Sequence, residues 1–223
     1  MFVKICGITT EEDALLAVAM GADAVGFIFA PSKRQIAPGI ARDIIKRLPP
    51  EILTVGVFRD ETPERVVEIV NRAGLRSAQL HGHETADITR WIRERLPFVI
   101  QGFVAGDPNL AQADAYGADV ILIDSPKPGS GEVFDWSLAE GAPAGRRVIM
   151  AGGLTPDNVA DAIRRVAPWG VDVATGVEVD DGEAGAKDAR KVKAFIEAAR
   201  AAELPAHQSD HAAPYDWMED RSQ

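Results

Sequence analysis

Lys4 and Cys6 are the first residues of the chain that could do acid–base chemistry together. They lie in the apolar run Met1-Phe2-Val3-Lys4-Ile5-Cys6, and Cys6 is the only cysteine of the protein. Side chains alternate along an extended strand, so Val3 and Ile5 take one face and Lys4 and Cys6 the other. An ammonium buried there without a partner costs several kcal/mol, on the order of the penalty for an unpaired buried charge. The pair therefore belongs at the open end of a sheet or barrel, where it can meet a ligand. A neighbouring ammonium favours the thiolate, so the Cys6 pKa is expected below the free value of about 8.5.

Further residues of this kind are spread along the chain. Asp124 closes the apolar run Val120-Ile121-Leu122-Ile123, which places a carboxylate at a strand end; paired with the Cys6 thiol, it suits general acid–base work. Lys33 and Arg34 lie in the loop after the second apolar run, and His81 ends Gln79-Leu80-His81. Gly152 and Gly153 follow the seventh run, and Thr175 and Gly176 follow the eighth. Glycine-rich turns expose backbone N–H groups, and two such turns side by side predict a phosphate site. His81 and His83 have the spacing of metal ligands, but no third ligand stands at a fitting distance in sequence, so no metal is expected.

The elements that must position these residues alternate in type. Short apolar runs at 24–29, 53–58, 76–80, 98–103, 119–123, 147–151 and 171–174 follow the first strand, which makes eight strands. They lack strict alternation, as strands buried on both faces do. Between them lie helical segments with visible start signals. Thr10 precedes Glu11-Glu12-Asp13, and Thr62-Pro63, Asp107-Pro108 and Thr155-Pro156 each put a capping residue before a first-turn proline. The first helix is expected over Glu11 to Met20 with Ala14, Leu15, Val18 and Ala19 inward, and the last from about Lys187 to Ala202. This order predicts a single (β/α)8 barrel over 1–202, with an open doubly wound sheet as the alternative. Gly-Ala-Asp recurs at Gly21 and Gly117 and reads as repeated turn chemistry before a strand. Residues 203–223 carry no period and read as a polar tail, disordered or loosely docked.

Composition bounds the partners. A formal net charge of −10 leaves no basic field for nucleic acid or an anionic membrane. No apolar run approaches the length of a membrane span and no signal peptide is visible, so a soluble cytoplasmic protein is expected. A lone cysteine excludes an intrachain disulfide. A small phosphorylated ligand remains the expected partner, on a monomer or homodimer.

Several stretches are specific enough to carry a resemblance. They are Lys4-Ile5-Cys6-Gly7-Ile8-Thr9, Gln79-Leu80-His81-Gly82, Phe134-Asp135-Trp136, Ala151-Gly152-Gly153-Leu154-Thr155-Pro156-Asp157-Asn158-Val159 and Gly170-Val171-Asp172-Val173-Ala174-Thr175-Gly176-Val177-Glu178. Together, and in this order, they resemble the phosphoribosylanthranilate isomerase family of tryptophan biosynthesis. The resemblance implies a (β/α)8 barrel converting N-(5-phosphoribosyl)anthranilate to 1-(2-carboxyphenylamino)-1-deoxyribulose 5-phosphate without cofactor or metal. It implies Asp124 as the general acid that opens the ribose ring and Cys6 as the base that takes the C2 proton. Arg34 is implied as partner of the anthranilate carboxylate, and Gly152, Gly153, Thr175 and Gly176 as the phosphate loops. Lys4, His81 and Asp172 complete the expected substrate site.

The chain departs from the family at two places: Glu132 stands where a lysine is usual, and Ala174 replaces a serine of the eighth loop. Two other functions compete. The analogous histidine-pathway isomerase carries an aspartate in place of Cys6, and a catalytically silent phosphoribosyl-binding barrel would not need Cys6, Asp124 and Arg34 together.

Overall fold

Short segments rich in Val, Ile, Leu and Phe, apolar on both faces, pair side by side in the computed structural model, which describes residues 1–125 and 145–202. They are β1 (Phe2–Cys6), β2 (Ala24–Ile28), β3 (Leu53–Phe58), β4 (Ser77–Leu80), β5 (Phe98–Val104), β6 (Val120–Asp124), β7 (Val148–Met150) and β8 (Gly170–Val173). All pairings are parallel and follow chain order. β8 returns to β1 with Lys4 opposite Asp172, which closes the barrel. Helices α1 (Glu11–Ala19), α2 (Pro38–Ile45), α3 (Pro63–Ala73), α4 (Ala86–Arg93), α5 (Val159–Val166) and α6 (Ala189–Ala201) cover the outside. The predicted (β/α)8 barrel is the observed fold.

Alternation divides the core as the first strand implies. Val3 and Ile5 join the layer between sheet and helices. Phe2 points inward with Leu53, Val55, Phe98 and Ile100 and fills the lower barrel. Among the described residues, no helix is long and apolar enough to cross a membrane.

Three local expectations change. In α1 the buried residues are Asp13, Ala14 and Ala17, whereas Leu15 is 40% exposed. The Asp13 carboxylate accepts from the Thr10 hydroxyl and from the Lys187 backbone N–H, and this turns its face inward. The segment after Asp107-Pro108 is a 3₁₀ helix, Pro108–Tyr116, irregular at Gln112. Its buried residues, Leu110 and Ala113, are three apart, the period of a 3₁₀ turn. Helix α5 begins at Val159 rather than at Pro156. Asn158 accepts from the Thr155 N–H at 2.8 Å and donates to the Gly153 carbonyl at 2.9 Å, so the intervening turn is tied back to the loop after β7. Glu132, the Phe134-Asp135-Trp136 stretch and the 203–223 tail lie outside the described residues.

The Gly-Ala-Asp repeat is turn chemistry at the base of the barrel. Asp23, just before β2, accepts from the Val3 N–H at 2.7 Å, and Asp119, just before β6, accepts from the Val99 N–H at 2.8 Å.

Candidate active site

The active end is built upward from β1. Lys4 and Cys6 both point into the barrel, as alternation requires, and a glycine on the neighbouring strand makes room for them. A Cβ at Gly26 would stand 2.8 Å from the Cys6 sulfur and 3.1 Å from Lys4 Nζ. Lys4 is fully buried, with Nζ 2.9 Å from Asp172 Oδ1. Its ammonium thus neutralises Asp172, which itself lines the cavities at this end of the barrel. Burial alone would lower the Lys4 pKa, but Asp172 and Cys6 outweigh it and hold the group above the ordinary lysine value. The expected depression of the Cys6 pKa is corrected. Burial pushes the thiol up and Asp172 adds to that, which outweighs the opposing pull of Lys4 and Lys187. Sequence spacing reveals the ammonium beside the thiol but neither the depth of burial nor the second carboxylate.

At the end of β6, Asp124 Oδ1 accepts from the Ser125 N–H at 2.7 Å, and Oδ2 lies 3.1 Å from His81 Nε2. The other ring nitrogen of His81 is 2.9 Å from Gln79 Nε2. His81 therefore reaches the carboxylate expected to act as the acid. His83 leaves the site: its side chain is 85% exposed and pairs with Asp60 at 3.1 Å.

Gly152, Gly153, Thr175 and Gly176 line one small cavity at the ends of β7 and β8, together with Asp124 and Asp172. Gly152 has φ of 85°, and a Cβ there would fall 2.4 Å from the Ser125 nitrogen and 2.8 Å from Asp124 Oδ1. The absent side chain thus leaves room for the Asp124 carboxylate as well as for the loop. At Gly176 a Cβ would meet the Leu154 carbonyl at 1.9 Å, so the two loops pack backbone to backbone. The Thr175 hydroxyl is engaged elsewhere, accepting from Arg34 Nη2 at 2.8 Å.

Beside this lies a larger cavity of about 300 Å³ whose walls include Cys6, Arg34, His81, Asp124 and Asp172. Proposed base, proposed acid and proposed carboxylate reader thus share one space, although they come from β1, the loop after β2, and β6. Arg34 is buried and held two-pronged by Glu178, with Nε 2.5 Å from Oε1 and Nη2 3.0 Å from Oε2. Arg34 Nη1 makes no hydrogen bond among the described residues. The other oxygen-sharing partner is Lys187, with Nζ 3.2 Å from Glu178 Oε1. Sequence reasoning missed Gln79 as a partner of His81, Glu178 as the holder of Arg34, and Lys187 altogether. Gln79 and Glu178 each stood inside a motif already singled out, and that was the available signal; Lys187 had none.

A family model described as N-(5'-phosphoribosyl)anthranilate (PRA) isomerase matches residues 3–198. The chain belongs to this family. It is 49% identical over 207 residues to the N-(5'-phosphoribosyl)anthranilate isomerase of Desulforudis audaxviator, covering 90% of this chain and 98% of that protein. It is similar to a phosphoribosylanthranilate isomerase solved in complex with reduced 1-(o-carboxyphenylamino)-1-deoxyribulose 5-phosphate, with a TM-score of 0.78, 40% identity, and 90% and 99% of the two chains covered. It is also similar to monomeric forms of the dimeric phosphoribosylanthranilate isomerase of Thermotoga maritima, with a TM-score of 0.78, 39% identity and the same coverage. At the C-terminal mouth of the barrel, the cavity lined by Cys6, Arg34 and Asp124 lies beside the one lined by the glycine loops after β7 and β8.

Proposed function

We propose that Cys6 and Asp124 divide the proton transfers of the isomerisation between them, on a substrate held by Arg34 at one end and by the loops after β7 and β8 at the other. The reaction converts N-(5-phosphoribosyl)anthranilate to 1-(2-carboxyphenylamino)-1-deoxyribulose 5-phosphate. Asp124, protonated, gives its proton to the ring oxygen as the C1–O bond breaks and the nitrogen lone pair forms a C1=N bond. The Cys6 thiolate then takes the C2 proton, and the C–H electrons form the C1=C2 bond as the iminium nitrogen is neutralised. The enolamine becomes the ketone when its hydroxyl proton leaves and C1 gains one.

The resting thiol is held up by burial, so Cys6 acts from the thiolate fraction that Lys4 keeps accessible. The cationic iminium enlarges that fraction at the moment it is needed, since a positive charge nearby favours the anion. The observation that carries this reading is the single cavity lined by Cys6, Asp124 and Arg34.

Steady-state kinetics of Arg34→Ala test the carboxylate end. We expect KM to rise with kcat little changed, by an amount matching about 1.5–3 kcal/mol for a charge-assisted hydrogen bond. An unchanged kcat/KM would overturn the assignment of Arg34.

A further inference from the structure

Glu178 is a buried carboxylate with two cations on it. Its Oε1 takes Arg34 Nε at 2.5 Å and Lys187 Nζ at 3.2 Å, while Oε2 takes Arg34 Nη2 at 3.0 Å. The three side chains form a buried cluster with one positive charge in excess. At rest the neighbouring charges do not cancel the excess. Cys6 interacts with Lys187, but burial pushes the thiol up and favours its neutral form. Lys4 and Asp172 pair with each other at 2.9 Å. Asp13 spends its oxygens on the Thr10 hydroxyl and the Lys187 backbone N–H. Excess buried charge calls for an anion, and Arg34 is the member of the cluster that lines the large cavity.

The Lys187 side chain is 0% exposed, so it meets neither solvent nor ligand directly. The segment around it is already fastened through its backbone. Val179 N–H donates to Ala186, Asp188 N–H donates to Val177, and the Lys187 N–H donates to Asp13. Its ammonium donates to the Ala174 carbonyl at 3.3 Å and to Glu178 Oε1, the oxygen that also takes Arg34 Nε. An apolar side chain of similar length would pack there without the desolvation cost that pulls this lysine below its ordinary value.

We propose that Lys187 is a positioning residue for recognition of the substrate carboxylate: by sharing Glu178 with Arg34, it leaves the guanidinium aimed by Glu178 yet incompletely neutralised, so that its remaining edge accepts a carboxylate in the cavity. Glu178 supplies the geometry and Lys187 supplies the charge. The inference rests on the reading of Arg34 given above and deepens it. It also accounts for how one arginine can be clamped by a carboxylate of its own chain and still bind a second one.

The test compares two ligands, the reduced product 1-(o-carboxyphenylamino)-1-deoxyribulose 5-phosphate and the same molecule with phenyl in place of carboxyphenyl. Dissociation constants are measured for the parent, Lys187→Met, Lys187→Arg and Arg34→Ala. Lys187→Met is expected to weaken the carboxylated ligand by about tenfold or more, the scale of one unit charge about 10 Å away at an effective dielectric of about 20, since Lys187 acts through Glu178 and Arg34. The phenyl ligand should bind it as it binds the parent, and Lys187→Arg should restore most of the loss. A merely structural lysine would move both ligands alike. Equal weakening of the two ligands, or no weakening of the carboxylated one, would overturn the proposal. Arg34→Ala separates the two levels. If Arg34→Ala loses the carboxylate preference and Lys187→Met keeps it, only the present proposal fails; if Arg34→Ala keeps it too, the reading of Arg34 fails with it. Where Lys187→Met does not fold, Lys187→Gln, which keeps a donor without the charge, is read by the same outcomes.

Discussion

At the N-terminal end of the barrel, Asp23 and Asp119 occupy equivalent points of a repeated turn and are matched in full. Each accepts a backbone N–H from the preceding strand, and each also holds an arginine, Arg200 at 2.9 Å and Arg93 at 2.6 Å. At the C-terminal end, Asp124 has one backbone N–H and one histidine, and no lysine or arginine pairs with it among the described residues. The same residue type at opposite ends of the barrel is thus set up for different purposes. A carboxylate saturated by fixed donors holds turns in place, whereas one left partly matched and facing a cavity can exchange a proton with a ligand. Glu178 is at the mouth yet saturated like the basal pair, which fits a residue that aims another group rather than reacting.

The comparison breaks most visibly at Asp124. Asp124→Asn is expected to lower kcat by about a hundredfold or more, within the usual range for a positioned acid, because an amide cannot deliver the proton. Its thermal midpoint should stay near that of the parent, since the amide keeps an acceptor for the Ser125 N–H. A large fall in the midpoint with kcat per folded molecule retained would merge the two ends of the barrel into one structural class.

Asp23→Asn should show the reverse. Losing a charge-assisted contact costs about 1–2 kcal/mol of stability, at the lower end for such bonds because water screens part of the arginine's share. Arg200 is 38% exposed, which is the reason for that discount. Denaturant unfolding measures the loss, and kcat per folded molecule should be unchanged. A drop in kcat comparable to that of Asp124→Asn would contradict the division.

The smallest effect belongs to Glu178 and appears in acid. Burial pushes its pKa up, but the hydrogen bond from Arg34 and the charges of Lys187 and Arg34 more than offset this and leave it lowered. A carboxyl whose folded value lies below its unfolded value stabilises the fold in full above the ordinary range, and that contribution is lost as pH falls through the folded value. Melting curves should therefore decline more steeply in acid for the parent than for Glu178→Gln. Parallel declines would remove Glu178 from the saturated class.

Much of this was legible in the sequence because the fold rests on features a linear chain displays. Doubly buried strands appear as apolar runs, and Leu53–Phe58 is a strand over the residues the run predicts. Alternation put Lys4 and Cys6 on one face, and strand ends pointed to Asp124 and to the glycine loops. What stayed hidden depends on distance and depth. Lys187 reads as the start of the last helix, yet Asp188 caps that helix and Lys187 turns inward to a glutamate near Arg34. The inward face of α1 was misread because an aspartate, Asp13, outcompetes Leu15 for the interior through specific hydrogen bonds. The direction of the Cys6 shift was missed because it is the balance of burial against charges contributed by β1, β8 and the segment before α6.

The most direct test of the account is single-turnover kinetics of Cys6→Ser with substrate carrying hydrogen or deuterium at C2 of the ribose. If Cys6 takes that proton, the rate should fall by about a hundredfold or more, and cleavage of the C2–H bond should become the slow step, revealing a primary isotope effect. A single-turnover rate close to the parent's, without an isotope effect, would contradict the account and leave Cys6 a buried thiol beneath a site run by other groups.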